Sequence, residues 1–182
     1  MPLSPSDLVG YIETGLDADL ARWFPDSPPV AFDEDVRPVE PFLARLSPAD
    51  AAALAAFDRR VRSGSMPAFL DIADWVYGFD YAENECGILD SDYETELTDD
   101  DLWTVAADGS GSHYVVLTNG QVAIWFHEEE VIEAGTRFDN LDVFVWTMVR
   151  YRAVREGVLE RADVEDDFRS LAQDGLKNLA AR

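Results

Sequence analysis

The stretch HYVVLTNGQVAIWF, residues 113–126, decides how this chain is read. Two apolar runs flank Asn119-Gly120, a dipeptide that tolerates positive φ at both central positions of a type I′ turn. Such a turn follows the twist of antiparallel strands, so the pattern predicts a hairpin. A two-residue turn also fixes a register. Thr118 should face Gln121, Val116 should face Ala123, and Tyr114 should face Trp125. The opposite side then carries Leu117 against Val122, Val115 against Ile124, and His113 against Phe126. Both sides are largely apolar. One is expected to take the core, and the other is either covered by the rest of the chain or kept for a partner.

Upstream, LWTVAA at 102–107 predicts a third strand, joined to the hairpin by the five-residue connection Asp108-Gly-Ser-Gly-Ser112. The expected architecture is an α+β fold with a mostly antiparallel sheet, its central meander at about residues 102–126, flanked by helices. At 182 residues the chain is read as a single domain over 1–182. Within it, 1–46 forms an N-terminal helix plus a proline-rich wrap, and 160–182 a C-terminal helix.

The helices follow from periodicity and caps. Ser6 is expected to cap a helix running towards Phe24, with Leu8, Ile12, Leu16 and Leu20 every four residues and Trp23 closing the stripe. Gly10 and Gly15 weaken it and Pro25 stops it. From there to Pro41 the text is loop-like, an extended wrap in which Val30, Phe32, Val36 and Val39 have something to bury. Ser47-Pro48 opens a second helix with Asp50 in its first turn, the apolar stripe Leu54, Phe57 and Val61, and an end at Ser63-Gly64. After Pro67 the pattern fits a helix through Trp75, whereas Trp75, Tyr77 and Phe79 alternate as a strand or turn would. Asn140 begins the most apolar helix, with Leu141, Phe144, Val145 and Met148 on one face and Val143, Trp146 and Val149 widening it. It should lie across the meander and end at Gly157. A last helix is expected over 162–180.

Charge is the strongest compositional signal. Asp and Glu number 37 against 14 Lys and Arg, a net charge of −23. Such a balance favours a cationic partner. It argues against nucleic acid and anionic membrane surfaces, which need clustered Lys and Arg. Between Arg62 and Arg137 there is no Lys or Arg, while seventeen acidic residues fall in that span. The ordinary reading of a charge run is a solvated face. The competing one is a contact surface made by Asp90, Asp92, Glu94, Glu96, Asp99, Asp100, Asp101, Glu128, Glu129 and Glu130, with Tyr114 and Trp125 as desolvated aromatic anchors. Those two rings are equally ordinary core candidates.

Chemistry finds little foothold. The run from Asp90 to Asp101 invites a calcium loop, but Thr95 stands where the sharp turn needs Gly and Asp101 where a bidentate Glu is required. A divalent-metal-dependent hydrolase built on that cluster is the weaker alternative. His127-Glu128-Glu129-Glu130 lacks the second His of a zinc helix, and Gly109-Ser-Gly111 is no phosphate loop. Cys86, the single cysteine, excludes an internal disulfide, and no orienting pattern pairs it with His113 or His127. No catalytic residue, metal site or cofactor is expected, and the chain reads as a binding protein rather than an enzyme. With no basic and apolar leader and no run approaching ~18 apolar residues, it is expected to be cytoplasmic.

The segment from Leu102 to Val154 resembles the SUKH superfamily, in the order LWTVAADGSGSHYVVL, NGQVAIWFHEEE, RFDNLDVFVWTMV. MPAFL at 66–70 is similar to that family's Leu-Pro-x-x-Phe stretch, with Tyr77-Gly78-Phe79 in place of the Asn-Gly that follows it. The resemblance implies an α+β fold with a mostly antiparallel sheet. It also implies one of two roles. One is a bacterial immunity protein that binds and neutralises a cognate toxin, often a nuclease or deaminase. The other is a cytosolic regulatory scaffold, as in cell-wall-synthesis regulators. No catalytic residue comes with it; Asp108, Gly109 and Gly111 match as turn formers.

Overall fold

The computed structural model describes residues 2–32, 35–70, 76–91 and 94–171, with the side chains of 134–136 excepted. Six strands form its sheet among these residues: β1 (Leu89–Asp90), β2 (Thr95–Glu96), β3 (Leu102–Ala107), β4 (His113–Leu117), β5 (Val122–Phe126) and β6 (Val131–Phe138). Their spatial order is β2-β1-β6-β5-β4-β3. The β1–β6 pair is parallel and the other pairs are antiparallel. The helices are α1 (Tyr11–Thr14), α2 (Leu16–Trp23), α3 (Glu40–Leu43), α4 (Pro48–Arg62), α5 (Leu141–Arg155) and α6 (Arg161–Ser170). The fold is α+β, and the expected meander is present as β3–β5, but it forms one side of the sheet, with β3 as the edge strand, rather than its centre.

The hairpin forms, but its register is shifted by one residue. His113 pairs with Trp125, Tyr114 with Ile124, Val115 with Ala123 and Val116 with Val122. The turn is the cause. The Gly120 N–H donates to the Leu117 carbonyl at 2.9 Å, and the Leu117 N–H donates to the Gln121 carbonyl at 2.9 Å. Only Gly120 of the pair takes positive φ, at 87°, while the Asn119 side chain accepts from the Gln121 N–H. This is a three-residue loop with glycine in the left-handed position, not a type I′ turn. A slip of one changes which residues share a face. Tyr114 and Trp125, expected side by side, lie on opposite faces of the sheet.

Both faces are covered by the chain itself. On one, Trp103, Tyr114, Val116, Val122 and Phe138 pack against the helices in the larger core. On the other, Leu102, Val115, Leu117, Ala123, Trp125 and Ile132 are roofed by Tyr81, Ile88 and, more loosely, Phe79, Cys86 and Leu97. The segment before β3 is therefore a second layer over the meander.

α4 and α5 form as their caps predict. Ser47 accepts from the Asp50 N–H, Gly64 takes positive φ just past α4, and Leu54, Phe57 and Val61 are buried. Asn140 accepts from the Val143 N–H at 2.9 Å, and Gly157 takes positive φ just past α5. The first helix is not continuous. It opens as a 3-10 turn at Pro5–Leu8, where Ser4 rather than Ser6 starts the helix, and breaks at Gly10 and Gly15 into α1 and α2. The break at Gly10 has a tertiary reason: the Asp142 carboxylate of α5 accepts from the N–H of Gly10 and of Ile12, both at 3.0 Å, capping α1 from outside. Burial lifts the Asp142 carboxyl above its usual range even though both amides pull it down. One turn of helix, α3, begins at Glu40, in the last two residues of the stretch expected to be extended. The expected helix through Trp75 begins as a 3-10 turn at Ala68–Leu70, and residues 71–75 lie outside the described ones. The last expected helix is present as α6, and its continuation beyond 171 lies outside the described residues.

Candidate functional site

The acidic residues of the central segment divide into those the fold uses and those it leaves at the surface. Asp90 belongs to the first kind. It is 6% exposed, and its carboxylate accepts from Arg137 Nη2 at 2.9 Å, with Arg137 itself 8% exposed. Asp99 accepts from the N–H of Tyr81 at 2.7 Å and of Ala82 at 3.0 Å, tying the segment before β1 to the entry of β3. Asp101 accepts from the Thr98 N–H at 2.8 Å and from Arg45 at 2.9 Å. Burial pushes its carboxyl up, but the Thr98 amide and the Arg45 guanidinium outweigh that and hold it low. Arg45 also donates to the Asp100 carbonyl, and Arg37 to the carbonyls of Gly78 and Asp99. The Asp90–Asp101 run is thus partly clamped by arginines from the N-terminal third. The carboxylates of Asp90, Asp99 and Asp101 turn to different partners rather than towards one point. Among the described residues no group of three His, Cys, Asp or Glu side chains is placed to hold a metal ion.

The second kind is Glu83, Glu85, Glu94, Glu96, Glu128, Glu129 and Glu133, all exposed. Among the described residues none of them takes part in an ion pair. Backbone contacts bring two of their turns together. The Leu89 N–H donates to the Glu130 carbonyl at 3.1 Å, and Trp125 Nε1 donates to the Gly87 carbonyl at 3.0 Å. The turn bearing Glu83 and Glu85 therefore adjoins the β5–β6 turn bearing Glu128, Glu129 and the half-buried Glu130. Asp100 is also exposed, whereas Asp92 lies outside the described residues. Sequence reasoning passed over Glu83, Glu85 and Glu133. Their position in the same cation-free span was the available signal.

Neither proposed aromatic anchor is at the surface. Tyr114 is 7% exposed and packs against Phe144 at 4.8 Å between ring centroids. Trp125 is 3% exposed, in edge contact with Tyr81 at 4.8 Å. Each fills a different core, because the real register sends them to opposite faces. Both are corrected here from contact residues to packing residues.

The nucleophile candidates are also accounted for. Burial, and then Glu130, push the Cys86 thiol up from its ordinary value, the opposite of thiolate activation. His113 is 3% exposed; its Nδ1 lies 3.0 Å from the Tyr81 hydroxyl, which in turn lies 2.8 Å from Thr104 Oγ1. Burial lowers its pKa to about 4, so the ring is neutral at pH 7. His127 is exposed, with Nδ1 3.2 Å from Ser112 Oγ.

Two clefts lie on the helical side, where the arginines gather. One of about 560 Å³ is lined by Trp23, Phe24, Phe69 and Arg152 among others, and one of about 420 Å³ by Arg37, Phe42, Arg45 and Trp103. Neither contains a nucleophile paired with a base. No described helix is long and apolar enough to cross a membrane. No protein-family model, no curated protein and no solved structure matches the chain.

Proposed function

We propose that this chain is a non-enzymatic acidic binding protein that docks on a basic protein, as an immunity protein does on its cognate toxin. The observation that carries this reading is the set of exposed, unpaired glutamates on adjoining turns, Glu83, Glu85, Glu128 and Glu129. Water-facing carboxylates without counter-charges project a negative field, which steers a cationic surface into encounter and raises on-rates by roughly 10–1000-fold. The described arginines sit on α2, α4, α5 and α6, are locked against Asp90 and Asp101, or, for Arg37, donate to the Gly78 and Asp99 carbonyls. The toxin as partner rests on the SUKH resemblance, and a nuclease is the class whose own basic groove best complements such a surface.

The test is association kinetics with a basic nuclease domain encoded beside this chain. The on-rate should fall at least about tenfold between 50 and 500 mM salt. Replacing Glu83, Glu85, Glu128 and Glu129 together by Gln should slow binding at low salt without moving the melting temperature. A rate indifferent both to salt and to the four substitutions overturns the reading.

A further inference from the structure

Residues 79–88 form a short cover over one sheet face. They run from Gly78, whose N–H donates to the Thr104 carbonyl at 2.9 Å, to β1, which is held in the sheet by β6. Between those two fixed ends the segment is a chain of turns. Its amides are spent locally: Glu83 N–H on the Asp80 carboxylate, Asn84 N–H on the Asp80 carbonyl, Cys86 N–H on the Tyr81 carbonyl. The ties that bind it down are the buried Tyr81 and Ile88 side chains, Asp99 to the Tyr81 and Ala82 amides, the Leu97 N–H to the Ile88 carbonyl, Trp125 Nε1 to the Gly87 carbonyl, and the Tyr81 hydroxyl to Thr104 and His113. Its amides do not join the ladders of the meander, so it is a unit separate from them.

What it covers includes an ionisable group. The Phe79 ring sits 4.8 Å from the His113 ring and the Tyr81 ring 5.9 Å from it, so the cover and the Trp125 ring of the sheet at 5.0 Å together shield the imidazole from water. We propose that residues 79–88 are an acid-released flap: a closed flap and a protonated His113 exclude one another, and proton uptake lifts the segment as a unit about Gly78 and β1. The released face presents Trp125, Val115 and His113 to water. Thr104 from β3, Trp125 from β5, and Phe79 and Tyr81 from the flap face the ring without charge. Asp108 on the β3–β4 loop favours the imidazolium and His127 on the β5–β6 turn opposes it, and burial outweighs both.

The linkage sets the size of the effect. With a pKa of about 4 when covered and an ordinary value of 6.5 when open, the flap's opening constant rises about 30-fold between pH 7.5 and pH 5. That window lies above the range where ordinary carboxylates titrate.

Amide hydrogen exchange of the whole chain tests this. After correction for the intrinsic exchange rate, the amides of residues 81–86 should lose protection about 30-fold over that pH range, while those of α5 keep theirs. In His113→Gln the flap amides should show no such loss. Flap and α5 amides that open with one free energy at every pH overturn the proposal, as does a pH response that survives in H113Q. Should that variant fail to fold, the wild-type series decides alone, because an opening constant flat from pH 7.5 to pH 5 removes the flap.

Discussion

Replacing Asp90 by Ala tests whether a carboxylate in the acidic span serves the fold or the surface. In the native chain it lies 2.9 Å from Arg137, and both side chains are more than nine-tenths buried. The pair ties β1 to β6, the parallel junction that joins the short outer strands to the meander. Removing one member of a buried pair takes the Asp90 carboxylate from the Arg137 guanidinium in a poorly solvated site, a loss of about 3–5 kcal/mol. For a chain of this size that is a fall in melting temperature of about 6–20 °C. Asp90→Asn should cost nearly as much, since the amide keeps the shape and loses the charge. Replacing both residues at once, Asp90→Leu with Arg137→Met, should recover much of the loss, because well-packed apolar groups often match a buried ion pair. Glu96→Gln on the exposed edge strand is the control, expected within about 0.5 kcal/mol of wild type. Urea and thermal unfolding measure all four. If Asp90→Ala unfolds with Glu96→Gln, the pair contributes nothing and Asp90 rejoins the surface carboxylates.

Two further outcomes follow from particular contacts. Gly120→Ala should destabilise by about 2 kcal/mol or more in denaturant melts, since a side chain is strained at its positive φ and a Cβ there would overlap the Asp50 carboxylate of α4; an unchanged midpoint would mean that the hairpin tip does not rest on that helix. Cys86 should react with iodoacetamide more slowly than a free thiol at pH 8, and Glu130→Gln should speed it, because the neighbouring carboxylate opposes the thiolate; equal rates in both proteins would remove Glu130 from the thiol's surroundings.

The parts of this fold legible in the sequence are those fixed by neighbours along the chain. Ser47-Pro48 and Asn140 set the starts of α4 and α5 through a hydroxyl or amide reaching three residues ahead. Strand β3 and the five-residue connection after it followed from alternation and glycine. β6 carried a similar alternation at Ile132 and Phe138, which are buried, and was missed behind the acidic turn that precedes it. Strands β1 and β2, two residues each, are too short for any period to show. The Asn-Gly turn misled because only Gly120 takes positive φ and the loop closes over three residues, and the Asp50 carboxylate of α4, seventy residues earlier in the chain, stands against Gly120.

The same distinction governs the charge. That the central span is acidic can be counted from the sequence, but which acids are spent inside the fold cannot. Asp90 finds its arginine 47 positions away, Asp101 finds Arg45 56 positions away, and Asp142 caps an amide 132 positions away. Each of these contacts takes one carboxylate out of the outward field and converts it into a local tie. What stays outside is a smaller set, on the turns at 83–85 and 128–129 together with Glu94, Glu96, Asp100 and Glu133. A surface of that kind has no need of buried aromatic anchors in the free protein. Its long-range attraction supplies the encounter. The acid-released flap and the acidic turns are physically adjacent, sharing the Gly87–Trp125 and Leu89–Glu130 hydrogen bonds. Lifting one necessarily rearranges the other, so a partner held by Glu83 and Glu85 should dissociate faster at pH 5 than at pH 7.5.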